Sequence, residues 1–260
     1  MSSRMCIMVA AHKDYTFPSD PGFLPVQVGR ANSTQPLWFQ GDDDGENISS
    51  LNQSFCELTG LYWMWRNRQA EFYGLSHYRR YFASTESSIE LLGKNIASSV
   101  ELMSFLDGKA VILSKPRNYW IETVREHYKN AHHINDLNVV EEIIQELFPE
   151  YLPSFNRVMV RRKVSLYNMF VMRSADFNAY CEWLFSILFE AQKKIPYQSY
   201  GPYQKRVFGF LAERLLNVWV EKNYTRDQIH YLPVVNLEGE NLFKKAVDLL
   251  KRKFMHSRLA

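Results

Sequence analysis

The sequence predicts an α/β fold in which a mostly parallel central sheet is flanked by helices. At 260 residues, with 46% hydrophobic and 15% aromatic side chains, the chain is long enough to bury a sizeable core. Short apolar runs alternate along it with stretches in which apolar residues recur at helical spacing. The first run, residues 5–11, is unbroken, as expected for a central parallel strand that is buried on both faces.

Charge and cysteine content narrow the class of protein. The net charge of +3 from 31 basic and 28 acidic side chains argues against a general nucleic-acid binder, so basic function is expected in local clusters. Cys6, Cys56 and Cys181 are widely spaced in apolar surroundings, which predicts reduced core residues of a cytosolic protein. We identify no signal peptide and no transmembrane span in the sequence.

Two polar side chains, His12 and Lys13, directly follow the first predicted strand. In open α/β sheets the carboxyl ends of parallel strands face a ligand crevice. We therefore expect both side chains to lie at a binding site.

The next stretch predicts a loop followed by a helix. Proline and glycine punctuate residues 15–40, which predicts a long irregular excursion that ends in a short strand at residues 37–39. Residues 41–47 form an acidic turn. Apolar side chains at helical spacing then predict one helix over residues 52–67, with Asn52 as its N-cap.

Residues 72–82 are the most informative part of the chain. An apolar run stops there at His77, and Arg79 and Arg80 follow between aromatic side chains such as Tyr78. One interpretation is a strand end with surface arginines and core aromatics. The other is an anion site, since planar guanidinium groups match phosphate oxygens.

The remaining chain continues the alternation of strands and helices, and it contains neither an internal repeat nor a low-complexity linker. Asn168 falls in the middle of one predicted strand, and Ser174 is a suitable N-cap for the helix after it. The predicted elements are a strand at residues 110–113, helices at 122–130 and 139–148, a strand at 164–172, and helices at 175–194 and 202–220, the last with Pro202 in its first position.

Five blocks carry a resemblance to a known family: residues 9–13, 41–49, 55–59, 74–82 and 209–215. Over residues 7–220 the chain resembles bacterial capsule and O-antigen glycosyltransferases, a family long labelled a domain of unknown function. The resemblance implies a GT-A-like nucleotide-sugar-binding fold with a helical C-terminal elaboration. It also implies a reaction like that of relatives that act as β-galactofuranosyltransferases on UDP-galactofuranose.

Most GT-A enzymes hold a divalent metal with an Asp-x-Asp pair after a central strand, and the metal stabilises the departing diphosphate. The comparable strand end here carries His77, Arg79 and Arg80 and lacks the acidic pair. We expect these side chains to stabilise the diphosphate instead. No cofactor is therefore expected, and Mg²⁺ or Mn²⁺ is not favoured.

Asp42, Asp43 and Asp44 leave an alternative open. They are a possible metal site, although a turn of adjacent aspartates is more often a capped, solvated loop. If they are functional, we expect them to accept hydrogen bonds from ribose or sugar hydroxyls.

An acceptor hydroxyl is a poor nucleophile, so an inverting transfer needs a carboxylate as general base. Glu213 is the first candidate because its apolar neighbours suggest a partly buried carboxyl group with a raised pKa. The alternative is that Glu213 forms a structural ion pair with Lys205, Arg206 or Arg214.

Asp176 and Glu57 are two further carboxylates with expected roles at this site. Asp176 is the second candidate base, although helix N-termini favour acidic residues for structural reasons alone. Glu57, on the predicted helix over residues 52–67, is expected to be a buried hydrogen-bonding group or a contact to the donor sugar.

Two further clusters have plainer interpretations. His127, His132 and His133 have the density of a metal site, yet their polar neighbours indicate a helix end. The basic run at residues 157–163 is typical of a solvated edge, although it could also meet an acidic acceptor.

The C-terminal stretch is amphipathic and basic. We expect a domain over residues 1–240 followed by a helix over residues 241–260, which suits an anionic membrane surface. Packing of that helix on its own domain is the alternative.

The sequence thus predicts an inverting glycosyltransferase that moves a hexose from a UDP-sugar to a lipid-linked glycan in capsule or O-antigen synthesis, at the cytoplasmic face of the bacterial membrane. Two alternatives stay open. One is a metal-dependent phosphoesterase that uses residues 42–44 and the histidines, and the other is a non-catalytic module that binds nucleotide or glycan. No nucleic-acid partner is expected. The expected substrate-binding residues are His12, Lys13, Asp42, Asp43, Asp44, Glu57, His77, Tyr78, Arg79, Arg80, Asn168 and Arg206, and the expected catalytic residues are Glu213 and Asp176.

Overall fold

The computed structural model describes residues 3–86 and 88–239, which fold around one large β-sheet. The strands of the described residues are β1 (Ser3–Ala11), β2 (Phe23–Gln27), β3 (Gln40–Gly41), β4 (Ala70–His77), β5 (Arg80–Phe82), β6 (Ser88–Leu91), β7 (Lys94–Ala97), β8 (Val111–Ser114), β9 (Arg117–Asn118), β10 (Lys163–Val164), β11 (Phe170–Arg173), β12 (Ile229–Leu232) and β13 (Val234–Asn236). The helices are α1 (Asn52–Phe55), α2 (Leu58–Asn67), α3 (Ser99–Phe105), α4 (Val124–Ala131), α5 (Ile134–Leu147), α6 (Leu152–Met159), α7 (Ser174–Lys194) and α8 (Val207–Asn223).

The central sheet is mixed but mostly parallel, as the sequence predicts. Its strand order is β12-β8-β11-β4-β1-β2-β3. β1 runs parallel to β2 and β4, β2 to β3, and β8 to β12. β11 is antiparallel to both of its neighbours, β4 and β8. β5 turns back from the end of β4 and pairs with β13.

Both faces of the sheet are covered, which explains the unbroken apolar run of β1. Met8 packs into the core cluster that contains α2, α7 and α8, whereas Ile7 and Val9 belong to the cluster on the opposite face with α3. All three side chains are fully buried, and each such burial contributes about 1.5–3 kcal/mol. A Cβ atom on Gly60 would lie 2.8 Å from the Met8 sulfur, so glycine allows α2 to approach β1 closely.

The single helix predicted over residues 52–67 is wrong, because the chain breaks it into α1 and α2 at Cys56. Cys56 has a φ of 53°, which interrupts the helical backbone. Asn52 is not an N-cap. It lies in the first turn of α1, and its amide donates to the Cys56 carbonyl at 2.7 Å and to the Thr59 hydroxyl at 3.2 Å. The side chain therefore stabilises the break.

The strand predicted over residues 164–172 is also interrupted. It becomes β10 and β11, separated by a loop in which Tyr167 and Asn168 have φ values of 74° and 55°. An apolar pattern predicts burial but does not reveal two successive left-handed residues.

Three boundaries differ from the sequence predictions. The short strand lies at Gln40–Gly41, after the predicted position, and Trp38 is exposed. Ser174 is the first residue of α7, and the side chain of the N-cap residue makes no capping hydrogen bond. Pro202 precedes a 3₁₀ turn, Gln204–Arg206, and α8 begins only after it. These shifts reflect local turn geometry, which periodicity does not define.

The basic amphipathic helix predicted over residues 241–260 lies outside the described residues, so that prediction stays untested. In the part of the chain that the structure describes, no helix is both long enough and apolar enough to cross a bilayer.

Candidate functional site

A cleft of about 930 Å³ opens at the carboxyl ends of β1 and β4, where the sequence predicts a ligand crevice. Ala10 and His12 line it from the end of β1, and His77 lines it from the end of β4. The junction of α1 and α2, the beginning of α8, and Tyr167 in the loop before β11 contribute the remaining sides. The fold therefore brings five segments that are separated along the chain to one site.

The cleft contains most of the residues that the sequence predicts for substrate binding or catalysis. Two others lie next to it: Asn168 contacts Glu57, and Lys13 lies 5.1 Å from the centre of the Tyr78 ring. The predicted residues that line the cleft are His12, Glu57, His77, Tyr78, Arg79, Arg80, Arg206 and Glu213.

Arg79 and Lys13 are held at the edge of the cleft by one carboxylate. The Arg79 guanidinium donates to Glu238 at 2.9 Å, and the Lys13 ammonium lies 3.4 Å from the other oxygen of Glu238. All three side chains are about a third to a half exposed, so these pairs are weak and easily exchanged. An incoming anion can therefore compete with Glu238 for both cations.

Arg80 and Arg206 are positioned by aromatic rings. The Arg80 guanidinium lies 4.6 Å from the centre of the Tyr167 ring, and that of Arg206 lies 5.6 Å from the centre of the Phe210 ring. Arg206 also donates to the Cys56 sulfur at 3.3 Å. Burial raises the pKa of the Cys56 thiol to about 11, so this sulfur is a neutral acceptor at pH 7. Ring stacking orients both guanidinium groups.

The lowered pKa of His12 reflects its partial burial and the positive electrostatic potential of this region. Partial burial lowers the pKa of His12, and the charges of Lys13, Arg79 and Arg206 lower it further. Its ring meets Tyr78 edge-on at 5.2 Å. The imidazole is therefore neutral at pH 7, and a bound anion would favour its protonation.

Tyr167 is held from both ends of its backbone by side chains at the cleft. His77 Nε2 lies 2.6 Å from the Tyr167 carbonyl oxygen, so this nitrogen carries the proton and donates. The Tyr167 N–H donates to Glu213 Oε1 at 2.7 Å. These two hydrogen bonds hold the left-handed conformation that places the tyrosine ring beside Arg80.

The Glu213 carboxylate is partly buried and paired. Its second oxygen accepts a hydrogen bond of 2.8 Å from Arg214, whose side chain is 3% exposed. Arg214 also donates to the Phe210 carbonyl at 3.0 Å. The ion pair that the sequence offered as an alternative is thus present with Arg214, while Glu213 still lines the cleft. Arg214 and the Tyr167 N–H together fix the orientation of this carboxylate.

Glu57 is oriented by Asn168. The Asn168 amide donates to Glu57 Oε1 at 2.8 Å and to the Gly209 carbonyl at 3.3 Å. Asn168 is 2% exposed, so it acts from behind the cleft and does not line it. A Cβ atom on Gly209 would lie 3.2 Å from the Cys56 sulfur, and glycine thus brings α8 close to the junction at Cys56.

The acidic turn at residues 41–47 does not line the cleft. Asp42 is fully buried and accepts hydrogen bonds from the backbone N–H groups of Gly29 and Arg30 and from the hydroxyls of Ser49 and Thr59. It therefore ties two loops together, which differs from the ribose or sugar contact that the sequence suggests.

Asp43 and Asp44 are exposed and also lie outside the cleft lining. Asp43 lies 3.7 Å from Arg30, and Asp44 accepts from Trp63 and Gln40. Sequence reasoning grouped the three aspartates by adjacency, whereas the fold assigns each one a local partner.

Asp176, the second candidate base, is not brought to the cleft. It lies in the first turn of α7, which follows Arg173 at the end of the antiparallel strand β11. Arg173 pairs with Phe72, five residues before His77 on β4, which corresponds to about 16 Å along the strand. Asp176 instead lies near Tyr224, whose pKa is raised by burial and by the Asp176 charge.

The histidines 127, 132 and 133 have separate partners. His127 stacks on Tyr119 at 3.8 Å, and His132 stacks on Phe210 at 4.0 Å. Among the described residues, no three His, Cys, Asp or Glu side chains come together as a possible metal group. The described residues at the end of β4 therefore do not fit the acidic metal site of a GT-A enzyme, and the parts of the predicted phosphoesterase site do not assemble.

Several cleft residues were missed by sequence reasoning. Tyr167, Tyr200, Tyr203 and Phe210 all line the cleft. Two of them, Tyr200 and Tyr203, flank Gly201-Pro202, and aromatic residues around a turn signal were the clue that the sequence held. Tyr203 is 57% exposed, and its ring lies 5.3 Å from that of Phe210.

The central sheet, in which β11 is reversed between parallel strands, and the cleft at the strand ends belong to a fold that matches a solved glycosyltransferase. The solved structure described as the WbbM bifunctional glycosyltransferase in its apo form matches with a TM-score of 0.82 and 28% sequence identity. The match covers 92% of this chain and 46% of that one, so this chain spans less than half of the length of that protein. The GT-A-like α/β fold expected from the sequence is confirmed.

The chain belongs to the family described as a domain of unknown function, DUF4422, which matches residues 6–224. No curated protein matches the chain.

Proposed function

We propose that the protein is an inverting glycosyltransferase that moves a hexose from a UDP-sugar to a lipid-linked glycan. The observation that carries the proposal is the composition of the cleft: Arg79, Arg80 and Arg206 share it with the carboxyl group of Glu213. A transferase for nucleotide sugars needs both cations for a diphosphate and a carboxylate for an acceptor hydroxyl. The glycosyltransferase fold supports the same reaction.

The cations bind the diphosphate of the donor. When the bond between the sugar C1 and the phosphate oxygen breaks, its electron pair stays on the diphosphate, which gains negative charge. Arg79 and Arg80 lie at the end of β4, where this charge develops in the proposal, and fixed guanidinium groups stabilise it. His12 adds a hydrogen-bond donor once the anion favours its protonation.

Glu213 acts as the general base. The acceptor oxygen forms the new bond to C1 from the face opposite the leaving group, and its proton passes to the Glu213 carboxylate. Hydrogen bonds from Arg214 and from the Tyr167 N–H fix the direction of this carboxylate.

Aromatic side chains next to Glu213 provide a place for the acceptor. Phe210 lies one turn before Glu213 on α8, and Tyr203 and His132 lie beside it. Apolar faces of sugar rings pack on such rings, while their hydroxyls reach polar groups at the edge. We therefore assign the donor to the end of β4, where Arg79 and Arg80 lie, and the acceptor to the part of the cleft that Tyr203 lines.

The finer identity rests on the resemblance stated for the sequence. It favours UDP-galactofuranose as the donor and capsule or O-antigen synthesis at the cytoplasmic face of the membrane as the setting. No cofactor enters the proposed steps, because the arginines take the place of an acidic metal site.

A donor screen followed by a transfer assay tests the proposal. Calorimetry with UDP-, GDP- and CMP-sugars should give a heat of binding for UDP-sugars, and Arg80→Ala should weaken that binding while Lys94→Ala, a change of an exposed lysine on β7, should not. Mass spectrometry of a lipid-linked acceptor should then show one added hexose. Binding without transfer in the presence of acceptors would favour a binding module. Absence of binding by any nucleotide sugar would overturn the proposal.

A further inference from the structure

A second surface combines exposed apolar side chains with cations, outside the cleft. Trp120 is 72% exposed, Ile121 40% and Val160 71%. Tryptophan is usually well buried, so an exposed one beside two exposed aliphatic residues is unusual for a solvated surface. Exposed cations Arg161, Arg162 and Lys163 directly follow Val160. We call these six residues the Trp120 surface.

Backbone hydrogen bonds join the two segments of this surface. The Tyr119 N–H donates to the Arg162 carbonyl at 2.7 Å, and the Val124 N–H donates to the Arg161 carbonyl at 2.7 Å. β9 and β10 continue the same pairing, with Asn118 opposite Lys163. The segment that carries Trp120 and Ile121 therefore lies directly beside the segment that carries Val160 and the cations.

The fold holds Trp120 firmly in its exposed position. Its backbone N–H donates to the Asn118 side chain at 2.9 Å, and its φ is 58°, a conformation that bulky residues rarely adopt. On its inner side Tyr119 is buried and stacks on His127. The loop is thus anchored by its neighbour while the indole ring points outward.

Two of the three cations of the Trp120 surface have no carboxylate partner among the described residues. Arg161 pairs with Glu221 at 2.6 Å. Arg162 and Lys163 make no ion pair with any described residue, and both are exposed. Positive charge without local compensation attracts an anionic partner.

We propose that the Trp120 surface docks the protein on an anionic lipid bilayer. Indole rings favour the headgroup level of a membrane, aliphatic side chains favour the acyl boundary below it, and arginine and lysine contact anionic headgroups. A nucleic acid would use the cations and the indole but would bury Ile121 and Val160 without gain. The bilayer alone uses every exposed member of the patch.

The Trp120 surface is close to the cleft along the chain. A role for docking in presenting the acceptor rests on the proposed function. Tyr167 in the cleft is four positions after Lys163, a span of at most about 14 Å. A bilayer at the Trp120 surface would thus hold a lipid-linked acceptor near the cleft entrance. Docking itself requires only the surface and can be measured without any sugar transfer.

Vesicle sedimentation with the full chain tests the docking. The protein should pellet with vesicles of phosphatidylcholine and phosphatidylglycerol and remain in solution with phosphatidylcholine alone. Each cation near an anionic leaflet strengthens binding roughly fivefold, so the double variant Arg162→Gln and Lys163→Gln should bind about 30-fold more weakly. The matched control is Lys193→Gln with Lys194→Gln, which removes two adjacent lysines from the end of α7.

Fluorescence locates the contact. Brominated lipids in the anionic vesicles should quench the wild type more than Trp120→Phe, whereas Trp38→Phe, at the other strongly exposed tryptophan, should be quenched like the wild type. Transfer to a soluble acceptor analogue should be the same in all of these variants, which separates failed docking from failed catalysis.

Equal binding of neutral and anionic vesicles, or unchanged binding by the double variant, would overturn the proposal. Retention on DNA or heparin without vesicle binding would do so as well.

Discussion

Glu213 accepts a hydrogen bond of 2.7 Å from the backbone N–H of Tyr167, a residue 46 positions earlier in the chain. The same carboxylate pairs with the buried Arg214. Tyr167 is in turn bound by His77 at the end of β4. Tyr167 therefore connects the proposed base, Glu213, to the end of β4 that carries the arginines. A substitution at Glu213 should alter the position of His77, and the reverse should also hold.

Glu213→Gln should lower sugar transfer by roughly 10² to 10⁴ while donor binding persists. Glutamine keeps an oxygen for the Tyr167 N–H, but it cannot take a proton from the acceptor. The free energy of unfolding should also fall, by about 1–3 kcal/mol, because the buried Arg214 loses its partner. Single-turnover rates, calorimetry and urea unfolding of the same preparation measure the three effects.

Arg214→Met is the matched control for Glu213→Gln. It breaks the same ion pair but keeps the carboxylate, so it should be less stable yet transfer sugar far faster than Glu213→Gln. If both variants lose activity in proportion to their stability, Glu213 is structural.

Arg79→Ala and Arg80→Ala should each lower turnover by roughly two to three orders of magnitude, the cost of removing one charge-stabilising donor. Arg80→Lys should restore little, because an ammonium group does not stack on the Tyr167 ring as a guanidinium does. Steady-state rates at saturating donor provide the measurement.

Glu238→Gln serves as the control for the arginine variants. It releases Arg79 and Lys13 from their shared carboxylate, so nucleotide binding should stay equal or become tighter. Near-normal turnover of both alanine variants would leave the arginines without a role in the leaving-group step.

The positions of the cleft residues on β1 and β4 were predictable from the sequence. Unbroken apolar runs that end in His12 and in His77 identify central strands, and strand ends converge in a parallel sheet. The register of β1 and β4 places Ala10 opposite His77, which brings both ends together.

The roles of other residues were not predictable, because they depend on backbone geometry. Asp42 resembles a ligand-binding residue in the sequence but is enclosed by Ser49 and Thr59. Tyr167 resembles a strand residue, and only its left-handed backbone brings it to the cleft. Asp176 was predicted at the cleft but lies at the opposite end of the sheet. The reason is that β11 is antiparallel to β4, which the sequence does not reveal.

Treatment with EDTA should leave most of the transferase activity intact. The proposed mechanism uses arginines at the end of β4, and the described carboxylates near them already have partners in Asn168, Arg214 and Lys13. The assay compares chelated protein with protein supplied with Mg²⁺ or Mn²⁺. Complete loss of activity that Mg²⁺ or Mn²⁺ restores would contradict this mechanism and would favour a metal site at Asp43 and Asp44.

His12 should make the protein less stable in mild acid. Its pKa in the folded chain is lowered below the ordinary value of 6.5, so the unfolded chain binds the proton more tightly. Stability should therefore fall as the pH drops below about 6.5, and the loss should be complete below the folded-state pKa. The variant His12→Gln should lack this component when unfolding is compared at pH 7 and pH 5. Saturating UDP should reduce the difference, because a bound diphosphate favours the protonated ring.

Asn168 joins the backbone of the cleft to Glu57, and two substitutions separate its functions. Asn168→Gly keeps the left-handed conformation but loses the 2.8 Å hydrogen bond to Glu57 and the bond to the Gly209 carbonyl. Asn168→Ala loses the same bonds and adds the strain of a Cβ atom at a φ of 55°. Since both variants lose a buried hydrogen-bonding group, each should unfold more easily, by about 1–3 kcal/mol. The free energy of unfolding of Asn168→Ala should be about 1 kcal/mol lower than that of Asn168→Gly, because alanine is strained at this φ; the lower unfolded-state entropy of alanine offsets part of that strain. Urea unfolding of the two variants measures this difference.

The same two variants test the role of Glu57 in donor binding. Donor affinity should fall equally in both variants if Glu57 must be oriented to contact the sugar. A loss of donor affinity in Asn168→Ala alone would show that the cleft depends on the conformation of the loop and not on the orientation of Glu57.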